Sequence, residues 1–218
     1  VGWQSVDWWS LHGRYSRAKG DVAYQGYTQI GIPLSTQTQL AVHQTELQWR
    51  DRWPVSGSLS WQPNVGVSHV RVDRNIQPAL GSLPLQEVLD STRLAAGMSL
   101  HQRWSRPEVV GSMRPMQWSV GVDVLTAVRN RLAVNSFGQF DPITLAPARQ
   151  TDWRWHAHAQ WALSEHAMFS MGVVQERLQP GGSAVEVWRR DGVPVAGVRY
   201  PGSQQHLRQW TVGLDWRF

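Results

Sequence analysis

The carboxy-terminal stretch of this chain, residues 206–218, constrains the fold more than any other segment. From residue 210 onward every second residue is apolar, and the residues between them are polar or Gly. Because successive side chains of a strand point to opposite faces, this pattern predicts a β-strand with one apolar and one polar face. The apolar face carries Trp210, Val212, Leu214, Trp216 and Phe218, and the other carries Gln209, Thr211, Gly213, Asp215 and Arg217.

A final strand of alternating apolar residues that ends in Phe or Trp resembles the C-terminal signature of bacterial outer-membrane β-barrels. The resemblance implies a closed antiparallel transmembrane β-barrel, whose apolar face turns to lipid while the polar face lines the lumen. It further implies location in the bacterial outer membrane and contact with the barrel-assembly machinery during biogenesis. The last strand carries the resemblance closely, and the remaining chain shares it as a pattern of alternation.

Length and composition agree with one membrane domain. The 218 residues predict a single domain over 1–218, and the absence of Cys excludes disulfides and thiolate metal sites. The 14 Trp outnumber the 4 Tyr and 4 Phe together. Because the Trp ring favours the membrane–water interface, this excess favours aromatic girdles over a buried core. Neither a cofactor nor a metal is predicted.

The hydropathy of the chain does not distinguish a barrel from a soluble protein. Its mean hydropathy is -0.39, and no run approaches the roughly 20 apolar residues of a membrane helix. Barrel strands escape this test because half of their residues are polar. No charged-then-apolar leader precedes Val1, so we expect an exported protein whose signal peptide has been removed.

The charge balance favours a membrane surface over nucleic acid. The chain has 21 basic and 16 acidic residues, a net charge of +5, and the basic residues are scattered singly. Nucleic-acid binding is typically carried by basic runs or one basic helix face, which this pattern lacks. A scattered basic surface suits the phosphates of outer-membrane lipids and lipopolysaccharide. We therefore expect those partners, with envelope proteins as further candidates and no nucleic acid.

Alternation along the chain predicts about ten strands, with eight and twelve as alternatives. This count places tight turns at 18–21, 35–37 and 129–131, and a bulge near 43–45. Residues 73–90 then become a long loop on the periplasmic side, where short turns are the rule. Residues 179–205 predict an extended outer loop with its own hairpin, turning at Asp191-Gly192.

Two sets of side chains follow from the alternation. The predicted lumen-lining residues are Arg93, Arg103, Asp123, Asp152, Arg154, His156, His158, Glu176, Asp215 and Arg217. The predicted membrane-anchoring residues are Trp9, Trp61, Trp118, Trp153, Trp155, Trp161, Trp210, Trp216 and Phe218. Sugar-stacking platforms are the alternative role for the aromatic residues, and among them Trp188 lies in a loop.

Two weak catalytic candidates stand beside a structural interpretation. His156 and His158 share a strand face with Asp152, and Ser10 shares one with His12. A hydroxyl, an imidazole and an acid are the groups that hydrolysis uses, and two His at i and i+2 suit a metal. Narrow barrels are, however, filled by side chains, whose charges form ion-pair networks. The filling interpretation is favoured.

The leading hypothesis is a small outer-membrane barrel that acts non-enzymatically, as a narrow pore or as an envelope anchor that binds partners. If it conducts, its inward Arg and His residues predict a mild anion preference. An outer-membrane hydrolase of lipid, lipopolysaccharide or peptide is the alternative. A soluble β-sandwich or lipocalin-like binder is the third hypothesis, disfavoured by the outward Trp residues.

Overall fold

The computed structural model describes residues 2–5, 9–27, 33–79, 84–103, 117–164 and 167–216. It is all-β, with about 80% of these residues in strands. The strands are β1 (Gly2–Ser5), β2 (Trp9–Tyr27), β3 (Pro33–Asp51), β4 (Trp53–Ser56), β5 (Leu59–Ile76), β6 (Leu85–Arg103), β7 (Gln117–Asn135), β8 (Ile143–Leu145), β9 (Thr151–Ala162), β10 (Ala167–Leu178), β11 (Glu186–Arg190), β12 (Val193–Val198) and β13 (Gln205–Trp216).

The main sheet is antiparallel and curls into an open half-barrel. Its strand order is β1-β2-β3-β5-β6-β7-β9-β10-β13, with β4 added beside β5 and β8 beside β7. The described residues contain no backbone pairing between β13 and β1 or β2, so a closed barrel is not confirmed. The two sides of this seam nevertheless approach each other, since Arg14 Nη2 on β2 donates to Gln209 Oε1 on β13 at 2.5 Å.

Three of the predicted turns are wrong. Residues 18–21 lie inside β2, 35–37 inside β3 and 129–131 inside β7, and these three strands are each 19 residues long. Most of the predicted loop 73–90 also belongs to strands, because β5 continues to Ile76 and β6 begins at Leu85. Long strands therefore replace the shorter hairpins on which the count of ten depended.

The connections separate into two ends of the sheet. At the loop end, β2, β5, β7 and β10 finish and β3, β6, β9 and β13 begin. At the carboxy-terminal end, β3, β6 and β9 finish, β5, β7 and β10 begin, and β13 finishes. The connection after β5 thus lies at the same end as the 179–204 segment. A long connection nevertheless remains on the side where short turns are expected, since β6 ends at Arg103 and β7 begins at Gln117.

The outward face near the carboxy-terminal end forms an apolar belt. On β7, Val120, Val122 and Val124 are 47%, 52% and 49% exposed, and on β13 Trp210 is 65% exposed. The belt consists of Trp9, Leu11, Tyr15, Leu47, Trp49, Trp61, Val65, Val67, Leu94, Ala96, Met98, Leu100, Trp118, Val120, Val122, Val124, Trp153, Trp155, Trp161, Phe169, Met171, Val173, Trp210, Val212 and Leu214. On β9 it runs from Trp153 to Trp161, close to the roughly 9–11 residues of a membrane strand.

Beyond the belt the strands continue toward the loop end with the opposite polarity. This loop-end extension encloses an apolar core formed by Val42, Val70, Val72, Leu89, Leu132, Val134, Leu145, Leu178, Val198 and Tyr200. Its outward positions carry charges such as Arg17, Lys19 and Arg71. The apolar residues of a single strand thus change faces as the strand leaves the belt.

This change of faces corrects the bulge predicted near 43–45. β3 pairs with β2 and β5 in continuous register through these residues. Val42 is buried and Leu47 is 47% exposed because the apolar side turns inward in the extension and outward in the belt. A register shift does occur elsewhere, where Thr92 pairs with Arg129 and Arg93 with Ala127, leaving Val128 as the extra residue of β7.

The predicted hairpin within 179–205 is confirmed. β11 and β12 pair around Asp191 and Gly192, which have φ angles of 52° and 79°. Positive φ at both central residues is the requirement of the two-residue hairpin turn, and Asp-Gly meets it at low cost. Asp141 holds this turn in place by accepting hydrogen bonds from the backbone N–H groups of both residues, at 3.1 and 3.0 Å.

No helix in the described part of the chain has the length and apolar character needed to cross a membrane.

Candidate functional site: a charged interior

Inside the belt the half-barrel is filled with buried charges, which we call the charge network. It consists of Glu46 on β3, Arg93 on β6, Asp123 on β7, Arg154 on β9 and Glu176 on β10. All five are 5% exposed or less, and Arg93 has no exposed surface. Alternation places them here, because each lies on the inward-facing side of its strand, as Asp123 does between the outward Val122 and Val124.

Arg154 is the centre of the charge network. Its Nη1 and Nη2 donate to the two carboxylate oxygens of Glu46 at 2.7 and 2.6 Å, a bidentate pair. Its Nε and Nη2 also donate to Asp123 Oδ2 at 2.9 and 2.7 Å. One guanidinium therefore joins β3, β7 and β9 across the interior, which compensates part of the cost of burying three charges.

Neutral amides and a second arginine complete the network. Arg93 Nη2 lies 2.7 Å from Glu176 Oε1, and Gln44 Nε2 donates to Glu176 Oε2 at 3.1 Å. Gln48 donates to Glu46 and Asn64 donates to Asp123, at 2.9 and 3.0 Å. The carboxylates of Glu46, Asp123 and Glu176 thus each have a cationic and an amide partner.

Two inward glycines make room for the network. A Cβ at Gly97 would lie 2.0 Å from Asp123 Oδ1 and 2.5 Å from the Val122 carbonyl oxygen. A Cβ at Gly121 would lie 2.6 Å from both His156 Nε2 and Ser99 Cβ. These positions need glycine because larger side chains from the neighbouring strands occupy the space a Cβ would fill.

A cavity of about 290 Å³ lies between the charge network and the carboxy-terminal end. We call it the vestibule. Its lining includes His12, Arg14, Arg50, Ser99, Ser119, His156 and His158, with Glu46, Asp123 and Arg154 at the network side. The described hydrogen bonds of the Arg14 and Arg50 side chains go to neutral amides, those of Gln209 and Gln48.

The first weak catalytic candidate, His156 with His158, lies on the vestibule wall. His156 Nδ1 is 3.8 Å from Asp123 Oδ2, beyond hydrogen-bonding distance, and Asp123 is already bound to Arg154 and Asn64. Asp152, the acid expected beside these histidines, instead accepts the backbone N–H of Gln179 at 3.2 Å. Among the described residues no group of three or more His, Asp or Glu is arranged to hold a metal ion.

The second weak candidate, Ser10 with His12, does form a contact. Ser10 Oγ lies 2.8 Å from His12 Nε2, which is the spacing of a hydroxyl and its base. The described contacts of His12 include no carboxylate, and its charged neighbour is Arg50. A nearby guanidinium disfavours the imidazolium that a general base must become, so the arrangement lacks the third member that orients and stabilises the base.

The structure gathers only part of the predicted lumen set. Arg93, Asp123, Arg154 and Glu176 meet in the charge network, while Asp152 is buried nearer the loop end. Arg103 is exposed as the last residue of β6 and lies apart from the network. The Asp215 side chain and Arg217 lie outside the described residues.

Sequence reasoning did not single out Glu46, Arg14 and Arg50, which are central to this interior. A usable signal exists for Glu46, which alternates with the outward Leu47 and Trp49 on β3. Arg14 likewise alternates with Tyr15 on β2. Pairing with Arg154 across 108 residues of sequence, by contrast, has no local signal.

The anchoring residues have mixed environments. Trp9, Trp61, Trp153 and Trp210 are 44%, 40%, 40% and 65% exposed, and Trp118, Trp155 and Trp161 are half-buried on the outward face. The Trp216 side chain and Phe218 lie outside the described residues. Trp188, the loop aromatic of the sugar-stacking alternative, packs on Phe140 with ring centroids 4.5 Å apart, so it is not an open platform.

Comparison with known proteins adds no family. The sequence matches no protein-family model, and a search of curated proteins likewise gives no match.

Proposed function

We propose that this protein is a small integral β-barrel of the bacterial outer membrane, acting non-enzymatically as an envelope anchor. In this proposal β13 closes the barrel against β1 and β2 across the seam that Arg14 and Gln209 already bridge. Its loop end projects outside the cell, and its carboxy-terminal end faces the periplasm. No cofactor takes part.

The observation that carries the proposal is the inverted polarity of the belt region. Arg93 is 0% and Asp123 is 1% exposed, whereas Val212 is 71% exposed on the opposite side of the same sheet. In water this arrangement would leave a large apolar surface exposed and bury several charges, both unfavourable. In lipid the outward valines and tryptophans are solvated by acyl chains, and the inward charges are shielded by the sheet.

The outward side of the loop-end extension supplies the expected contact with lipid headgroups. Directly beyond the belt it carries Arg17, Lys19, Arg71, Arg129, Arg131, Arg177 and Arg208, against Asp21, Asp73 and Asp90. This basic excess lies where the phosphates of outer-membrane lipids and lipopolysaccharide would be found. Coulomb attraction at that depth would hold the barrel at a fixed height in the membrane.

The anchor role is favoured over the narrow pore because the interior is obstructed twice. The charge network crosses the half-barrel from β3 to β9 and β10. Above it, the apolar core of the extension fills the space between the loops and the strands. Ions would have to displace both layers, so we expect little conductance, and the recognition surface becomes the loop end, which is open to envelope partners.

Site-directed labelling tests location and orientation together, because the chain has no native Cys. Ala184→Cys places a thiol on the exposed 179–204 loop, and Val55→Cys places one on the exposed connection at the opposite end. On intact cells a membrane-impermeant maleimide should label the first variant and not the second. After the outer membrane is permeabilised, both should be labelled.

The Cys-free protein is the control for background labelling, and heat-modifiable migration on gels reports the folded barrel. Recovery of the folded protein in the soluble fraction, with equal labelling of both variants, would overturn the membrane proposal. Planar-bilayer recording addresses the anchor role separately. Steady conductance from the wild-type protein would favour the narrow pore over the anchor role. Arg14 and Arg50 would then predict a preference for anions.

A further inference from the structure

Beyond the anchoring role, we propose that the vestibule is a binding site for a phosphate group, either free or carried as a monoester on a small molecule. Its volume of about 290 Å³ suits a ligand of that size, near the lower limit of ordinary ligand pockets of roughly 300–1,000 Å³. This binding site is separate from the proposed anchoring role. Phosphate binding can be measured on the folded protein whatever its location in the cell.

Two arginines of the vestibule have N–H donors available for a ligand. The guanidinium of Arg50 donates from Nε and Nη2 to one neutral oxygen, Gln48 Oε1, at 3.1 and 2.8 Å. Arg14 donates from Nη2 to Gln209 Oε1. The buried acids act on these guanidiniums only through space, Glu46 and Glu176 on Arg14 and Asp123 and Glu46 on Arg50. Both arginines therefore keep N–H donors for an anion.

The acids that line the vestibule already have hydrogen-bonding partners. The acids at the network side, Glu46 and Asp123, are engaged by Arg154, Gln48 and Asn64. Between them and the carboxy-terminal end, the inward side chains that the structure describes include no carboxylate, but they include Arg52, His101 and His158. Among the side chains that the structure describes around the vestibule, cations therefore exceed anions.

Hydrogen-bond donors reach the vestibule from more than one side. Arg14, Arg50 and His12 come from neighbouring strands β2 and β3, while hydroxyls and two further imidazoles come from the opposite wall. That wall contributes Ser99 on β6, Ser119 on β7, and His156 and His158 on β9. A tetrahedral phosphate can accept hydrogen bonds from several walls at once, whereas a planar carboxylate presents only two oxygens. The surrounding donors therefore favour phosphate.

Titration calorimetry on the full chain, folded in detergent, tests the site with inorganic phosphate and with phenyl phosphate. Arg14→Gln and Arg50→Gln should each weaken binding at least about tenfold, the effect of losing one charge-assisted hydrogen bond. Arg149→Gln removes the same charge from the exposed 136–150 connection and should leave affinity unchanged. Binding of phenyl phosphate at least as tight as that of phosphate identifies a monoester as ligand, and preference for phosphate identifies the free ion.

A second measurement uses the wild-type protein, so it does not depend on whether a variant folds. Phenylglyoxal modifies accessible arginines, and mass spectrometry gives the extent of modification at each one. Saturating phosphate should protect Arg14 and Arg50 and leave the exposed Arg149 unprotected. Absence of binding by the wild type, equal loss of affinity in all three variants, or protection spread evenly over the arginines would overturn the proposal, since each indicates that no specific site exists.

Discussion

Two regions of this molecule use the same strands with opposite polarity. On β6, Leu94 in the belt is 55% exposed, whereas Leu89 in the loop-end extension is 1% exposed. On β5, Val67 is 41% exposed and Val70 is fully buried. The backbone continues through both regions as one strand, so the sheet itself does not determine which face is apolar.

The surroundings of each region therefore determine which side of the strand carries its apolar residues. Apolar residues turn toward whichever side is free of water, which is the interior in the extension and the outer face in the proposed membrane belt. The extension therefore resembles a soluble β-domain, stabilised by its core. The belt, in contrast, places its polar groups inside, where hydrogen bonds and ion pairs must satisfy them.

The largest expected effect comes from removing the centre of the charge network. Arg154→Met leaves Glu46 and Asp123 buried without the cation that each contacts, and we expect a loss of about 3–5 kcal/mol in the free energy of unfolding. Urea unfolding of the protein in lipid vesicles, followed by Trp fluorescence, measures the loss.

The matched control for this change is the triple variant Glu46→Gln, Asp123→Asn, Arg154→Met. It removes the cation together with the two acids that accept its hydrogen bonds, and Glu176, 3.7 Å from Arg154, keeps Arg93 as its partner. Most of the stability should therefore return. If the single variant were as stable as the wild type, the belt interior would not depend on its ion pairs, and the contrast with the apolar core would fail.

Truncation of the extension core should have the next largest effect. Leu89→Ala opens a cavity among Val70, Val72 and Leu132, and we expect a loss of about 2–5 kcal/mol. Leu94→Ala, on the same strand in the belt, faces lipid and opens no cavity, so it should cost only the lost transfer free energy, about 1–2 kcal/mol. Equal losses in the two variants, measured by the same unfolding experiment, would contradict the separation into two regions.

A charge introduced on the outer face should distinguish the regions in lipid. Val122→Arg places a guanidinium in the middle of the belt on β7, where we expect a cost of about 2–4 kcal/mol in vesicles. Gln39→Arg makes the same addition on the exposed outer face of the extension and should change stability by about 0.5 kcal/mol or less. If Val122→Arg left the free energy of unfolding unchanged, the belt would not be in contact with lipid.

The sequence predicted the all-β class and the outward apolar face, because alternation is strict within the belt. It did not predict strand length, since a reversal of the apolar face looks like a turn or a bulge when one strand is assumed to have one environment throughout. The turns assigned to 18–21 and 129–131, and the bulge near 43–45, all arose in this way. The Asp191-Gly192 hairpin was predictable because its turn chemistry is local.

The interior was predictable only residue by residue. Alternation places Arg93, Asp123, Arg154 and Glu176 on the inward face, yet their pairing depends on which strands meet across the curled sheet. Arg154 contacts Glu46, 108 residues away, and Gln44 contacts Glu176, 132 residues away. Contacts of such sequence separation are set by the curvature and stagger of the sheet, which single-strand patterns do not encode.

The smallest expected effect concerns an ion pair on the exposed side of the extension. Arg71 Nε lies 3.2 Å from Asp73 Oδ2, and the Arg71 side chain is 50% exposed, so water screens the pair. A double-mutant cycle with Arg71→Gln and Asp73→Asn should give a coupling of roughly 0.2–1 kcal/mol that weakens further in high salt. The corresponding cycle for Arg154 and Glu46, both at most 5% exposed, should give a coupling several times larger and insensitive to salt. Similar couplings for the two pairs would mean that water reaches the belt interior as freely as the outer surface, which would remove the physical basis for treating the two regions as different.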